Sequence, residues 1–322
     1  MNKKILLIAN SDNYNKKAVE TSYLDIGYSY KDSNNIFFRI GRKLWQVLNL
    51  PYYSCWFDFN SKEIEKYDCV LIFECRYPNR LIEYIRKRNT KCRIIYWLWN
   101  AVGTSINPIF YSSEKNFFNL LKKKDLYNIE IWSFDKGDCE RYNLNYNNQV
   151  SYKLNFDEDK ENIKYDIFFC GIDKYISKNL TRLSFLKKIE KKFTNYKIKI
   201  LILPNKFISY KKEDKKYFLE RSLDYEEIIN YVNKSKCIID LCQIGQRGLT
   251  WRPLEAMFYR KKLITNFKDI TEYDFYKKDN IFLLKENNLD LLYEFMKRPY
   301  KNIEKNIIYK YTSQGWWENF NK

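Results

Sequence analysis

The chain contains no histidine. That removes Ser-His-Asp and Cys-His hydrolase machinery and every His-based metal site. A general base has to be Asp or Glu, or less readily Lys, Tyr or Cys. Glycine is scarce as well, at eight in 322 residues, beside six prolines and three methionines. No G-x-G-x-x-G follows the first apolar run, which speaks against an epimerase or dehydrogenase of the dinucleotide-binding kind. The eight cysteines, at 55, 69, 75, 92, 139, 170, 237 and 242, form no C-x-x-C pair. Most sit inside apolar runs such as Cys69-Val70-Leu71-Ile72-Phe73, as reduced, buried thiols do. No stretch approaches the roughly 18 apolar residues of a spanning helix. The opening run Ile5 to Ala9 is too short for a secretory signal. The expected location is cytoplasmic, with the inner face of the cell membrane as a place of work.

What is present is apolar surface and positive charge. Hydrophobic residues make up 45% and aromatics 18%, enough to fill two cores. The length suits two domains of roughly 150 residues each. Fifty-eight Lys+Arg against 40 Asp+Glu leave a net charge of +18. Lys, Ile, Asn and Tyr are all abundant, as an AT-rich coding sequence makes them, so part of the excess is codon usage. The rest would concentrate an anionic partner, whether nucleic acid, anionic lipid or phosphorylated glycan. Recognised nucleic-acid modules are absent and the basic residues are spread along the chain, so no specific nucleic-acid partner is expected; a basic nucleic-acid-binding protein, or another α/β nucleotide-binding enzyme, stands as the alternative. If the excess is functional it should gather on the first half, where Arg80 to Arg88 and Leu120 to Lys124 are rich in cations.

Hydrophobic periodicity organises the chain as alternating strands and helices. Strands are predicted at residues 4 to 9, 69 to 73, 93 to 97 and 130 to 134, with helices near Asn35 to Leu48, Arg80 to Lys87 and Glu114 to Lys123. A charged segment, Asn155 to Asn162, interrupts the pattern and reads as a linker. The alternation then restarts, with strands at Tyr165 to Cys170, Lys197 to Leu203, Cys237 to Cys242 and Lys262 to Thr265. Helices fall at Leu180 to Phe193, Tyr225 to Asn233, Arg252 to Tyr259 and Leu289 to Met296. This predicts an α/β protein of two Rossmann-like domains facing a cleft. Residues 1–155 are expected to form the first domain, 156–300 the second, and 301–322 a terminal helix returning to the first. The closing aromatic cluster, Trp316, Trp317 and Phe320, fits either packing or an interfacial anchor.

The most informative segment runs from Ile238 to Ala256. Two of the eight glycines, Gly245 and Gly248, stand three residues apart in a loop between a predicted strand and helix. Pro253 belongs in the first helical turn. The free amides of that turn, with Arg247 and Arg252, suit a pyrophosphate, and Glu255 suits ribose hydroxyls. An ordinary strand-to-helix turn with solvated arginines fits the same residues.

This loop and helix, with Lys261 to Asn266 and Tyr273 to Tyr276, resembles the donor domain of bacterial lipopolysaccharide and capsule glycosyltransferases of the GT-B fold. Trp132 to Cys139 and Tyr165 to Gly171 resemble stretches of the same proteins, so the likeness covers roughly residues 130 to 285. It implies glycosyl transfer from a nucleotide-sugar, which is a co-substrate rather than a cofactor, to an anionic glycolipid or glycan, with peripheral membrane contact and no metal. It further implies phosphate contacts from Arg247, Gly248, Thr250 and Arg252, a nucleotide contact from Glu255, and close passage of the donor at Gly171. A plain turn fits Gly171 equally. Retaining members carry a Glu-x7-Glu pair; Glu255 matches its second member, while Arg247 stands where the first would be.

An inverting reaction needs a carboxylate in the first half to take the acceptor's proton. Asp12 and Glu74 each follow a predicted strand at its carboxyl end, where open α/β sheets bind ligands. Turn or capping carboxylates fit both positions as well. Asn100 stands at another strand end, suited to an acceptor hydroxyl, and Asp135 and Asp138 read as helix-capping residues.

Overall fold

The computed structural model describes residues 4–9, 24–28, 36–48, 50, 63–75, 78–102, 116–151, 163–285 and 287–320. The chain divides into two compact units, Met1–Asn147 and Asn148–Lys322. The charged segment 155–162 and Asp12 lie outside the described residues.

The first unit is built on a six-stranded parallel sheet of order β2-β1-β3-β4-β5-β6. Its strands are β1 (Ile5–Ala9), β2 (Leu24–Tyr28), β3 (Cys69–Phe73), β4 (Arg93–Leu98), β5 (Ile129–Ser133) and β6 (Asn145–Tyr146). Every residue of β1 and β3 is buried, the continuous apolar pattern of parallel strands covered on both faces. Helices α1 (Ile36–Val47), α2 (Pro78–Arg88) and α3 (Lys136–Tyr142) connect them, with a further helical stretch over 116–122. Asp135 caps α3, its carboxylate accepting from Asp138 N at 3.1 Å.

The second unit repeats the plan in a five-stranded parallel sheet of order β10-β7-β11-β12-β13. Here β7 is Tyr165–Ile172, β10 Ile198–Leu203, β11 Ser235–Asp240, β12 Lys262–Thr265 and β13 Ile281–Leu283; a short antiparallel pair, β8 (Tyr175–Ser177) and β9 (Leu180–Thr181), stands outside the sheet. The helices are α4 (Arg182–Lys192), α5 (Tyr225–Asn233), α6 (Trp251–Phe258), α7 (Leu292–Lys297), α8 (Lys305–Lys310) and α9 (Ser313–Asn319). Trp316, Trp317 and Phe320 are all buried, so the terminal aromatics pack rather than face solvent. Gly315 allows this packing, since a Cβ there would meet Tyr309 O at 2.1 Å.

In both sheets the second strand of the unit lies outside the first, and the third lies on the first strand's other side. The order reverses between β1 and β3, and again between β7 and β11. Such switch points, at the carboxyl ends of the strands, are where open α/β sheets hold ligands. The seven described cysteines are free thiols, six of them buried.

Candidate functional site

At the second unit's switch point the strands part. The ladder between β7 and β11 ends at Ile238↔Phe168, whereas β10 stays paired with β7 as far as Leu203↔Ile172. Carbonyls freed on the β7 and β11 side need other donors. Two arginines supply them. Arg182, first in α4, donates from Nε to Leu241 O at 2.7 Å and from Nη1 to Ile172 O at 2.8 Å. Arg252, on α6, donates from Nη2 to Cys170 O at 3.2 Å and pairs through Nη1 with the Glu255 carboxylate.

Beneath them lie two buried carboxyls, Asp240 at the end of β11 and Glu255 on α6. Burial raises both pKa values; Arg182 opposes this at Asp240 and Arg252 at Glu255. Thr265 Oγ1 donates to Asp240 at 3.2 Å, and the Thr250 hydroxyl is buried beside the same carboxyl. Desolvation pulls the Arg182 pKa down, and it does the same to half-buried Lys174, with the Arg182 charge adding to the effect. No described acceptor meets the Lys174 amine. A poorly solvated cation beside another cation is relieved by an anion, so this edge is chemically suited to a phosphate.

The sequence candidates fall around this point in different ways. Gly171 lies on β7 without a left-handed φ, and a Cβ there would meet only ordinary contacts, the nearest Phe169 at 3.4 Å. Gly245 is the glycine of the loop with a special conformation, φ +82°. Gly248 is buried and Arg247 exposed, its guanidinium 3.9 Å from Asp269. Thr250 begins α6 with extended backbone and makes no side-chain cap. Arg252 and Glu255 are brought together, but inward, so a ribose hydroxyl would have to compete with Arg252 for Glu255. Lys174 and Arg182 were missed by the sequence reading. The available signal was slight: Lys174 stands two residues past β7, while Arg182 lies ten residues beyond the strand.

At the first unit's switch point Glu74 follows β3. Its Oε2 accepts from Trp99 N at 3.2 Å, Asn100 N at 3.0 Å and Asn100 Nδ2 at 3.1 Å. Burial raises its pKa, and these three bonds oppose the rise. Asn100 therefore orients Glu74. Asp138 accepts from Val102 N at 2.7 Å, and burial pushes its pKa up to about 6, with the charges of Asp135 and Glu74 contributing. Burial thus raises the pKa of both carboxyls at this edge, Glu74 and Asp138.

A hollow of about 360 Å³ on α4, lined by Lys187, Lys188, Glu190, Lys191 and Tyr217, lies away from these strand ends.

No family model matches the chain. Among curated proteins, Protein Ycf2 of Physcomitrium patens is 26% identical over 262 residues, covering 78% of this chain. The chain spans only 11% of that protein's length. Among solved structures, sucrose-phosphate synthase from Thermosynechococcus elongatus superposes with a TM-score of 0.53 and 10% identity, covering 98% of this chain and 96% of that one. Anabaena HepE, solved in complex with UDP and glucose, superposes with a TM-score of 0.50 and 9% identity, covering 97% and 94%. At such identities the likeness establishes the fold: two parallel-sheet α/β domains of the GT-B fold.

Proposed function

We propose that the chain is a glycosyltransferase that moves a sugar from a nucleotide-sugar to an anionic glycolipid or glycan, of the lipopolysaccharide-core or capsule type, at the membrane face. The observation that carries this reading is the parted edge between β7 and β11, where Lys174 stands beside Arg182 with no described acceptor. A diphosphate supplies the anion those cations lack. Arg247, Gly248 and Thr250, in the loop between β11 and α6, are the residues proposed to complete its cradle. Arg252 and Glu255 hold the cradle from beneath.

The carboxylate of Glu74 takes the acceptor hydroxyl's proton as that oxygen attacks the anomeric carbon. The bond from carbon to the phosphate oxygen breaks, and its electron pair leaves with the nucleoside diphosphate. Lys174, Arg182 and Arg247 neutralise that charge, so the reaction is proposed to run without a metal ion. Asp12, three residues after Ala9 in the sequence, is the second candidate for the base. Glu74 is placed first because its carboxylate is held in position by Trp99 N, Asn100 N and Asn100 Nδ2 at the end of β3.

A calorimetric screen of nucleoside diphosphates and nucleotide-sugars tests the reading. At least one diphosphate should bind, and Lys174→Ala should weaken it by about ten- to a hundredfold, the worth of one charge-assisted hydrogen bond. Failure of every diphosphate to bind, or equal binding by the variant, would remove the donor site.

A further inference from the structure

Three large apolar side chains that the second unit leaves exposed lie at one edge of its sheet. Ile172, the last residue of β7, is 44% exposed; Ile244, four residues past β11, 50%; and Phe207, four residues past β10, 64%. All three lie at the carboxyl ends of parallel strands, where the Arg182 guanidinium binds Ile172 O and Leu241 O and Lys174 stands beside it. A single exposed apolar residue is ordinary on a protein surface. An edge that sets several beside poorly solvated cations suits a ligand with one planar, weakly polar part and one anionic part.

The backbone that carries Phe207 is held in place. Asn205 N donates to the Tyr210 hydroxyl at 2.8 Å, Asn205 Oδ1 accepts from Phe207 N at 3.1 Å, and Asn205 O accepts from Ile208 N at 3.0 Å. Tyr210 in turn packs edge-on against Phe218, their ring centroids 4.9 Å apart. The same loop is tied to the cation edge. Asn205 Nδ2 donates to Asp173 O at 3.1 Å, Asp173 N donates to Leu203 O at 3.0 Å, and the next residue is Lys174. Strand β10 neighbours β7 on the side away from β11. Adjacent strands lie about 4.8 Å apart, so the root of the Phe207 loop stands roughly 5 to 10 Å from the gap between β7 and β11, a span that one nucleotide bridges. Lys206, its Nζ 4.9 Å from the centroid of the Phe207 ring, brings a further anion-binding group to the ring. An exposed aromatic on a fixed backbone gives up little freedom when a base stacks on it.

We infer that Phe207 is the platform on which the base of a nucleoside diphosphate stacks while its phosphates lie at Lys174 and Arg182. The inference rests on the donor reading proposed above and goes beyond it, placing the base at the loop after β10. Calorimetry would compare inorganic pyrophosphate with ADP, GDP and UDP on the parent, Phe207→Ala, Phe207→Trp and Lys174→Ala. The parent should bind at least one nucleoside diphosphate more tightly than pyrophosphate. Phe207→Ala should weaken that nucleotide about tenfold, the effect of one base stacked on a ring, and leave pyrophosphate at the parent's affinity. Phe207→Trp should restore the nucleotide, and Lys174→Ala should weaken both ligands. Phe207 is an exposed position, so urea midpoints of its variants should match the parent's and serve as the fold control. The platform is overturned if Phe207→Ala binds the nucleotide like the parent, if it weakens pyrophosphate equally, or if Phe207→Trp fails to restore binding. It is also overturned if the parent binds pyrophosphate as tightly as every nucleotide, a result that would leave the cation edge standing. A parent that binds neither ligand would sink the donor reading and the platform with it.

Discussion

At the carboxyl edge of the first sheet the loops gather carboxyls: Glu74, Asp135 and Asp138. At the same edge of the second sheet they gather cations, with Lys174, Arg182 and Arg252 set over the buried Asp240 and Glu255. The strand order is the same in both units, reversing after the first strand. What differs is how the backbone at the reversal is satisfied. In the first unit Glu74 keeps its N–H on Trp97 O at 2.8 Å, and the side chain is met by amide donors from the end of β4. In the second the ladder stops early, and guanidinium groups meet the freed carbonyls. One topology therefore offers two kinds of site, and the side chains that loops and following helices bring to each strand end choose between them.

The largest effect that would sharpen this contrast belongs to Arg252→Ala. Sequence alone suggests that Arg252→Ala and Glu255→Ala weaken nucleotide binding and spare the fold. With Glu255 only 1% exposed and Arg252 its ion-pair partner, the arginine's removal leaves a buried carboxylate unpaired, at a cost of about 3 to 5 kcal/mol. Urea unfolding should show that loss, and adding Glu255→Gln should restore most of it. A parent-like midpoint would mean that the pair is not structural.

Next comes Glu74→Gln. The amide oxygen still accepts from Trp99 and Asn100, while the proton acceptor is lost. Turnover should fall by about a hundredfold or more with donor affinity unchanged, as expected of a general base. A variant that turns over like the parent would transfer the role to Asp12.

The smallest effect is one of pH. The Asp138 carboxyl ordinarily titrates at 3.8 and is raised to about 6 in the fold. The folded chain thus holds this proton longer than the unfolded chain, so stability from this group is full below the ordinary value and declines as pH rises through the folded one. Asp138→Asn keeps an acceptor for Val102 N and lacks the charge. Its stability relative to the parent should be flat below pH ~4, rise by about 2 to 3 kcal/mol between pH ~4 and ~6, and level off above. Urea midpoints across pH would show this, and a pH-independent difference would mean that Asp138 is not desolvated.

Strands such as Ile5–Ala9 and Cys69–Phe73 were legible because a doubly covered parallel strand is apolar at every position. Leu24–Tyr28, Ile281–Leu283 and the Tyr175–Thr181 pair were not, being short or mixed in polarity. The loop from Gly245 to Glu255 stood out through its glycines and proline. Lys174 and Arg182 did not, because their meaning depends on Leu241 O, 59 residues from Arg182, and on Asp240. The expected gathering of charge on the first half does not occur: Met1–Asn147 carries 23 Lys+Arg against 16 Asp+Glu, and the remainder 35 against 24.

Periodicity and composition by themselves determined that this is a two-unit α/β protein with reduced thiols and a carboxylate or amine in place of histidine, because strand burial and residue chemistry are local properties. Tertiary structure decided which cations share a strand end and which glutamate is sealed in an ion pair. Those outcomes depend on carbonyls and charges brought close from distant parts of the chain, and local patterning does not encode such distances.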